Sequence, residues 1–231
     1  MRTQRDNGVG RPTAPTAHAL GAHPGRQLPE KCVALTFDDG PTRYTAALLD
    51  ILERSHTRAT FFLIGPHARR HRADVLREYR DGDAIGDHTV THPHLTLLPR
   101  SRIALQIDSA AQQIAWVTGP RPALFRPPFG ASDARVQEVV GTARMAVVMW
   151  SPSPQDWKHH GPTSIDRAVL APVQPGAIIL LHDRYATTPP AVPRLIDVLR
   201  SRGYHLVTVP ELFATSGGLR SGIVYHRGPS P

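Results

Sequence analysis

The chain holds a single cysteine, Cys32, in 231 residues, so no intramolecular disulfide can form. Its neighbours Val33, Ala34 and Leu35 have strand character, which makes Cys32 a small buried residue rather than a reactive thiol. Lysine is nearly missing: Lys31 and Lys158 are the only two, although 27 basic against 19 acidic residues give a net charge of +8. A basic surface of that size can concentrate nucleic acid or another polyanion. Here the excess is arginine scattered through an Ala- and Pro-rich background, without interleaved aromatic residues. No nucleic-acid partner is expected. The densest basic run, His-Ala-Arg-Arg-His-Arg over 67–72, falls in a helical pattern and reads as a solvated face. No run of about 18 consecutive apolar residues occurs, so no membrane span is expected. Residues 1–27 contain Arg2, Arg5, Arg11 and Arg26 but no apolar core of a signal peptide.

What is present suits one catalytic domain, since roughly 200 to 250 residues is a common size for a single α/β barrel. Residues 1–30 are rich in Pro, Gly, Ala and Arg without apolar periodicity and are expected to form a disordered leader. From Cys32 onward, short apolar runs alternate with amphipathic stretches, the pattern of βα units around a parallel sheet. Strands are expected over 33–37, 59–64, 84–86, 123–126, 146–150, 177–181 and 205–209. Helices are expected over 44–54, 66–79, 101–117, 133–141, 164–170 and 191–200. In the third helix Ile103, Ile107, Ala110, Ile114 and Val117 recur at intervals of three or four, which marks one buried face. The fold class is therefore α/β, with about seven strands closing into a barrel or barrel-like sheet. Chemistry in such folds gathers at the C-terminal strand ends, and Asp38, His88, Arg126, Asp156 and His182 fall at or just after those ends.

Two segments suggest a metal centre. Thr36-Phe37-Asp38-Asp39-Gly40-Pro41 ends an apolar run with adjacent carboxylates, which are costly unless a cation or hydrogen bonds hold them. The same residues also spell a turn before a helix. His88-Thr89-Val90-Thr91-His92-Pro93 places two histidines four apart, where Pro93 disfavours a helix at His92. Two histidines and a carboxylate leave coordination positions open, as a hydrolytic metal requires. Thr89 stands where the helical zinc-peptidase motif has its glutamate, so a general base must come from elsewhere.

These two segments, with Arg126-Pro127-Pro128-Phe129-Gly130, Asp156-Trp157 and Leu180-Leu181-His182-Asp183, occur in the order of the motifs of polysaccharide deacetylases. From Cys32 to Phe213 the chain resembles the NodB-like carbohydrate esterase family (family 4). The resemblance implies a single deformed (β/α) barrel over 31–215, followed by a C-terminal tail over 216–231. It implies a divalent metal, zinc or alternatively cobalt, held by Asp39, His88 and His92. Asp38 then matches the base, His182 the acid, Arg126 the residue that orients the base, and Asp156 the one that tunes the acid. It further implies that the backbone N–H of Phe129 donates to the oxyanion, and that Trp157 and Leu180 line an acetyl-methyl pocket. Ser153 stands where the family usually has a second aspartate, which bears on the shape of the substrate groove. Asp87 stands where asparagine is commoner, and would add negative charge beside the metal.

The implied activity is hydrolytic removal of N-acetyl groups from the amino sugars of a glycan, peptidoglycan first and chitin-type oligomers next. Rival readings are an acetylxylan esterase, a deacetylase of a small acetylated amino sugar, and a non-catalytic glycan-binding module. A glycan partner and a monomer are expected. The substrate class favours an extracellular or cell-wall setting, while the visible residues carry no export signal, so localisation stays unassigned.

Overall fold

The computed structural model describes residues 29–151, 156, 158 and 161–229. The expected leader, apart from its last two residues, and Ser153 and Trp157 therefore lie outside the described residues.

The chain alternates strand and helix as its periodicity implies: β1 (Cys32–Gly40), α1 (Thr45–Arg54), β2 (Thr60–Leu63), α2 (Gly65–Arg70), α3 (Arg72–Asp81), β3 (Ala84–Asp87), α4 (Arg100–Thr118), β4 (Leu124–Phe125), α5 (Ala134–Thr142), β5 (Ala146–Val148), α6 (Pro162–Leu170), β6 (Ile178–His182), α7 (Thr188–Ser201), β7 (His205–Leu206), α8 (Val209–Leu212) and β8 (Val224–Tyr225). Neighbouring strands pair in the order β6-β1-β2-β3-β4-β5-β8, with β7 alongside the start of β1. Every one of these pairings is parallel. The sheet curls on itself: Ser151, just past β5, and Arg227, just past β8, bridge back to Ile178 and Ala177 at the start of β6. The expected deformed α/β barrel is the fold observed.

Three departures from the expected elements have visible causes. The helix expected over 66–79 is two, because His71 leaves helical geometry at φ −107°, ψ 43°. The strand expected over 205–209 stops at Leu206. Thr208 instead caps α8: its side chain accepts from the Glu211 N–H, while Glu211 Oε2 accepts from the Thr208 N–H at 2.9 Å. That reciprocal capping box, with Pro210 in the first turn, starts a helix where β-branched residues suggested a strand. The segment expected as a tail contributes β8, which pairs with β5.

β1 shows how the barrel positions its site. Val33, Leu35 and Phe37 point outward into the main core, packed with Leu48, Leu49 and Leu52 of α1 and Val192, Leu195 and Ile196 of α7. Side chains alternate across a strand, so Cys32, Ala34, Thr36 and Asp38 line the inside. The interior is apolar at the bottom, where Cys32, Ala34, Phe62 and Ile178 cluster, and becomes polar toward the strand C-termini. A third cluster seats α4 and α5 through Ile103, Ile107, Val136 and Val140. Among the described residues, no helix is long and apolar enough to cross a membrane.

Candidate active site

Adjacent residues of a regular strand face opposite sides of the sheet, so Asp38 and Asp39 could not both enter one site without a break in the ladder. The break is present. Asp38 registers with Phe62 and Gly40 with Leu63, leaving Asp39 as the extra residue of a bulge with φ 74°. A bulge re-aims a side chain, and both carboxylates are buried facing the same cluster. His88 follows β3 directly, and the loop after it turns through Thr89 at φ 70° and His92 at φ 54°. The pair is therefore looped, as Pro93 suggested, with ring centroids 5.0 Å apart. Among the described residues, four of the six non-glycine residues at positive φ, Asp39, Thr89, His92 and Phe129, lie in this one region. Backbone strain of that kind persists only where surrounding contacts impose it.

Those contacts are specific. Gln106 of α4 accepts from the N–H groups of Val90 and Thr91 through Oε1, both at 3.0 Å, and donates to the Thr91 hydroxyl through Nε2 at 2.9 Å. Thr89 Oγ1 accepts from the His92 N–H at 3.0 Å. His88 Nδ1 lies 2.7 Å from the Arg126 carbonyl, so Nδ1 carries the proton and Nε2 is the atom turned to the site. His67 Nδ1 meets the Asp39 carbonyl at 2.9 Å.

Asp39, His88 and His92 can hold a metal ion: one donor atom from each lies within 4.8 Å of the others. Asp39 Oδ1 is 3.6 Å from His88 Nε2 and 3.3 Å from His92 Nε2. It is buried and has no hydrogen-bond partner among the described residues, a costly state that a cation would relieve. Burial pushes the Asp39 carboxyl up, but His88, His182, His92 and Arg184 outweigh it and hold the group below the usual carboxylate range. Burial and then His88 pull His92 down, against Asp39 and Asp38. An ionised carboxylate beside neutral imidazole is what a metal needs.

Among the described residues, Arg126 is the largest fully buried side chain. Its Nη1 donates to Asp38 Oδ1 and to Thr36 Oγ1, each at 2.7 Å, while Nε and Nη2 donate to the carbonyls of Val148 and Met149, both at 3.0 Å. The guanidinium lies 4.1 Å from the centre of the Phe62 ring. This network fixes Asp38 through one oxygen; the other, Oδ2, lies 3.7 Å from His88 Nε2.

Across the β1–β6 ladder Asp38 registers with His182. Asp156 Oδ1 lies 2.7 Å from His182 Nδ1, and Oδ2 accepts from the His182 N–H at 2.7 Å and from the Thr188 hydroxyl at 3.0 Å. Burial pulls the imidazole down, yet the hydrogen bond and charge of Asp156, aided by Asp38 and Asp39, raise it above its ordinary value. Leu180, buried, shares the inward face of β6 with His182. Phe129 sits in a 3-10 turn at φ 59°, ψ 9° and is 59% exposed. Its ring stacks on His94 at 4.0 Å and meets His92 edge-on at 4.5 Å.

The structure thus gathers Asp38, Asp39, His88, His92, Arg126, Asp156 and His182 around the C-terminal ends of β1, β3, β4 and β6. Asp87, fully buried just before His88, accepts from the Thr89 N–H at 2.7 Å, and burial raises its carboxyl well above the ordinary range. The motif reading missed Thr36, His67, Gln106, Asp183 and Thr188. Asp183 ran beside His182 in plain view, and is buried where Thr45 Oγ1 donates to its Oδ2 at 2.5 Å. Gln106 carried no local signal, being one polar position on an amphipathic helix.

The family model for polysaccharide deacetylases matches residues 25–148. A peptidoglycan-N-acetylglucosamine deacetylase of Listeria monocytogenes is 36% identical over 184 residues, covering 79% of this chain and 39% of the relative. A chitooligosaccharide deacetylase of Sinorhizobium fredii is 35% identical over 195 residues, covering 78% of this chain and 90% of the relative. Among solved structures, the T48 deacetylase with substrate superimposes at a TM-score of 0.80 with 38% identity, covering 84% of this chain and 96% of that one. The chain spans about two fifths of the length of the Listeria relative, 39%.

Proposed function

We propose that this chain, which belongs to the polysaccharide deacetylase family, hydrolyses the N-acetyl groups of amino sugars in a glycan, peptidoglycan first and chitin-type oligomers next. The observation that carries this reading is the placement of two opposed proton carriers, Asp38 and His182, as register partners on adjacent strands beside a candidate metal triad. A divalent ion, zinc by the nitrogen and oxygen donor set, would be held by Asp39, His88 and His92, and would lower the pKa of a water and polarise the acetyl carbonyl.

The chain's own residues supply the proton transfers. Arg126 holds Asp38 by Oδ1, so Oδ2 is the atom that takes the proton from the attacking water. Asp156 binds His182 at Nδ1 and keeps it protonated, which makes Nε2 the donor to the amide nitrogen as the C–N bond breaks. Acetate and a free amine leave, with each proton accounted for. The N–H of Phe129 is assigned to the oxyanion, where a preorganised donor contributes most. Leu180 and Trp157 are assigned to the acetyl-methyl pocket.

The test is acetate release by metal-reconstituted protein on peptidoglycan, chitooligosaccharides and acetylated xylan, each with a chelated control. Chelator-sensitive release from an acetamido glycan is expected. Release from acetylated xylan alone would replace the amide reading by the ester one. Metal binding without release from any of the three would remove the polymer substrates.

A further inference from the structure

Asp38 is matched by Arg126, Asp156 by His182, and Asp39 by two histidines. Among the described residues, one cation at the same strand ends is not used up in this way. Arg184 follows β6 at the mouth of the site with its side chain 52% exposed. Nη1 donates to Asp39 Oδ2 at 3.2 Å, and the guanidinium lies 5.5 Å from the centre of the Tyr185 ring. Tyr185 in turn meets the His182 ring edge-on at 5.7 Å. The guanidinium is thus pinned between the metal ligand and the acid, with one of its five N–H groups committed. A divalent ion on Asp39 would consume the charge that Arg184 now shares, leaving the arginine a partly solvated cation above the reaction centre. The site's other charged acids are buried, and Lys158, an exposed residue of the loop between β5 and α6, is also basic.

We propose that Arg184 is a specificity-determining residue that binds a carboxylate carried by the glycan on or next to the sugar being deacetylated, so that the site prefers an acidic glycan to a neutral one. The inference rests on the deacetylase reading above. A planar guanidinium matches a carboxylate through two parallel N–H donors, a geometry that a neutral chitin-type oligomer cannot use. The carboxylate has two sources in peptidoglycan: the lactyl group of N-acetylmuramic acid, or the stem peptide.

The experiment compares three probes of equal length: a peptide-free tetrasaccharide of alternating N-acetylglucosamine and N-acetylmuramic acid, its methyl ester, and the same glycan bearing stem peptides. kcat/KM and the dissociation constant by titration calorimetry are read for the wild type, Arg184→Gln and Arg184→Lys, with metal content checked in each. The wild type is expected to favour the free carboxylate over its ester by about fivefold, the scale of a half-exposed charge-assisted pair. Arg184→Gln should bring that ratio near one, and Arg184→Lys should keep part of it. Loss of preference for the peptide-free acid together with preference for the peptide-bearing glycan, abolished by Arg184→Gln, assigns the carboxylate to the peptide. A residue that only orients Asp39 would lower the rate on acid and ester alike, and an unchanged ratio in Arg184→Gln overturns the proposal. If no probe is deacetylated, the proposed activity fails, while the acid-to-ester binding ratio still decides the role of Arg184.

Discussion

Asp38 and Asp39 show how one position decides a role. The bulge brings both to the same side, but only Asp38 is gripped by Arg126, and only Asp39 presents an unpartnered oxygen to two histidines. Asp38→Asn is therefore expected to retain metal and lose about 10² or more in kcat, the usual contribution of a positioned base. Asp39→Ala should lose metal and activity together. Metal content by elemental analysis beside the rate separates the two, and a normal rate in Asp38→Asn would remove it from the mechanism. His182 is governed by Asp156. Because the proposed acid works in its protonated form, activity is expected to fall as pH rises through the elevated His182 pKa. Asp156→Asn keeps acceptor atoms near the imidazole but removes the charge, so the alkaline limb of kcat/KM should move to lower pH. A limb that stays in place would show that another group sets it.

Elements hold these residues through contacts far apart in sequence. α4 buries Ile103, Ile107 and Ala110 in the core and commits Gln106 to the loop that carries the candidate metal ligands. Gln106→Ala leaves the apolar face intact while depriving the N–H groups of Val90 and Thr91 of their acceptor. Metal affinity is expected to fall roughly tenfold or more, as for other residues supporting metal ligands, with the fold retained. Competition against a chelator of known affinity measures this; unchanged affinity would mean the loop's own turns suffice. β3 adds a steric condition. A Cβ on Gly86 would stand 2.5 Å from the Phe62 ring, the ring on which the Arg126 guanidinium rests. Gly86→Ala should cost about 1–3 kcal/mol by overpacking and reduce activity through Arg126. The denaturant midpoint and the rate should fall together.

Most strands and helices were legible because alternation and three-to-four spacing are local properties, as in the buried stripe of α4. The bulge at Asp39 was not, because it is a mismatch between β1 and β2 and neither strand records it alone. β8 escaped notice because two residues, Val224 and Tyr225, in a glycine-rich segment carry no period. The candidate ligands and the proposed acid–base pair stood in the sequence as ordered motifs, whereas Gln106 and Thr188 contact them from helices whose pattern reports burial, not aim.

At the scale of the molecule, the barrel buries more carboxyl groups than it pairs. Glu78 lies in the core with neither oxygen hydrogen-bonded among the described residues, and burial, with the charges of Asp183, Asp83 and Asp74, raises it well above its ordinary value. Burial pushes Asp83 and Asp183 up to about 7, against the N–H of Ala59 and the hydroxyl of Thr45 respectively. A folded-state pKa raised above the unfolded value means that the folded protein holds its proton longer. Stability from these groups is then complete below the unfolded value of 3.8 and lost as pH rises through about 7. His182, also raised, has the same sign, its contribution declining as pH climbs through its folded pKa. Asp39, held low, acts oppositely, but only in more acidic solution, near and below its ordinary value. The melting temperature is therefore expected to rise as pH is lowered from about 8 to about 5.5, the window in which the raised carboxyls recover their protons. Asp83→Asn retains an acceptor for the Ala59 N–H without the ionisable group, and should flatten part of that slope. Calorimetric scans of the wild type and this variant across the window decide it. A melting temperature that is flat or increases with pH would mean that these carboxyls are ionised and paired by rearrangement, and that the barrel interior is less dry than its packing implies.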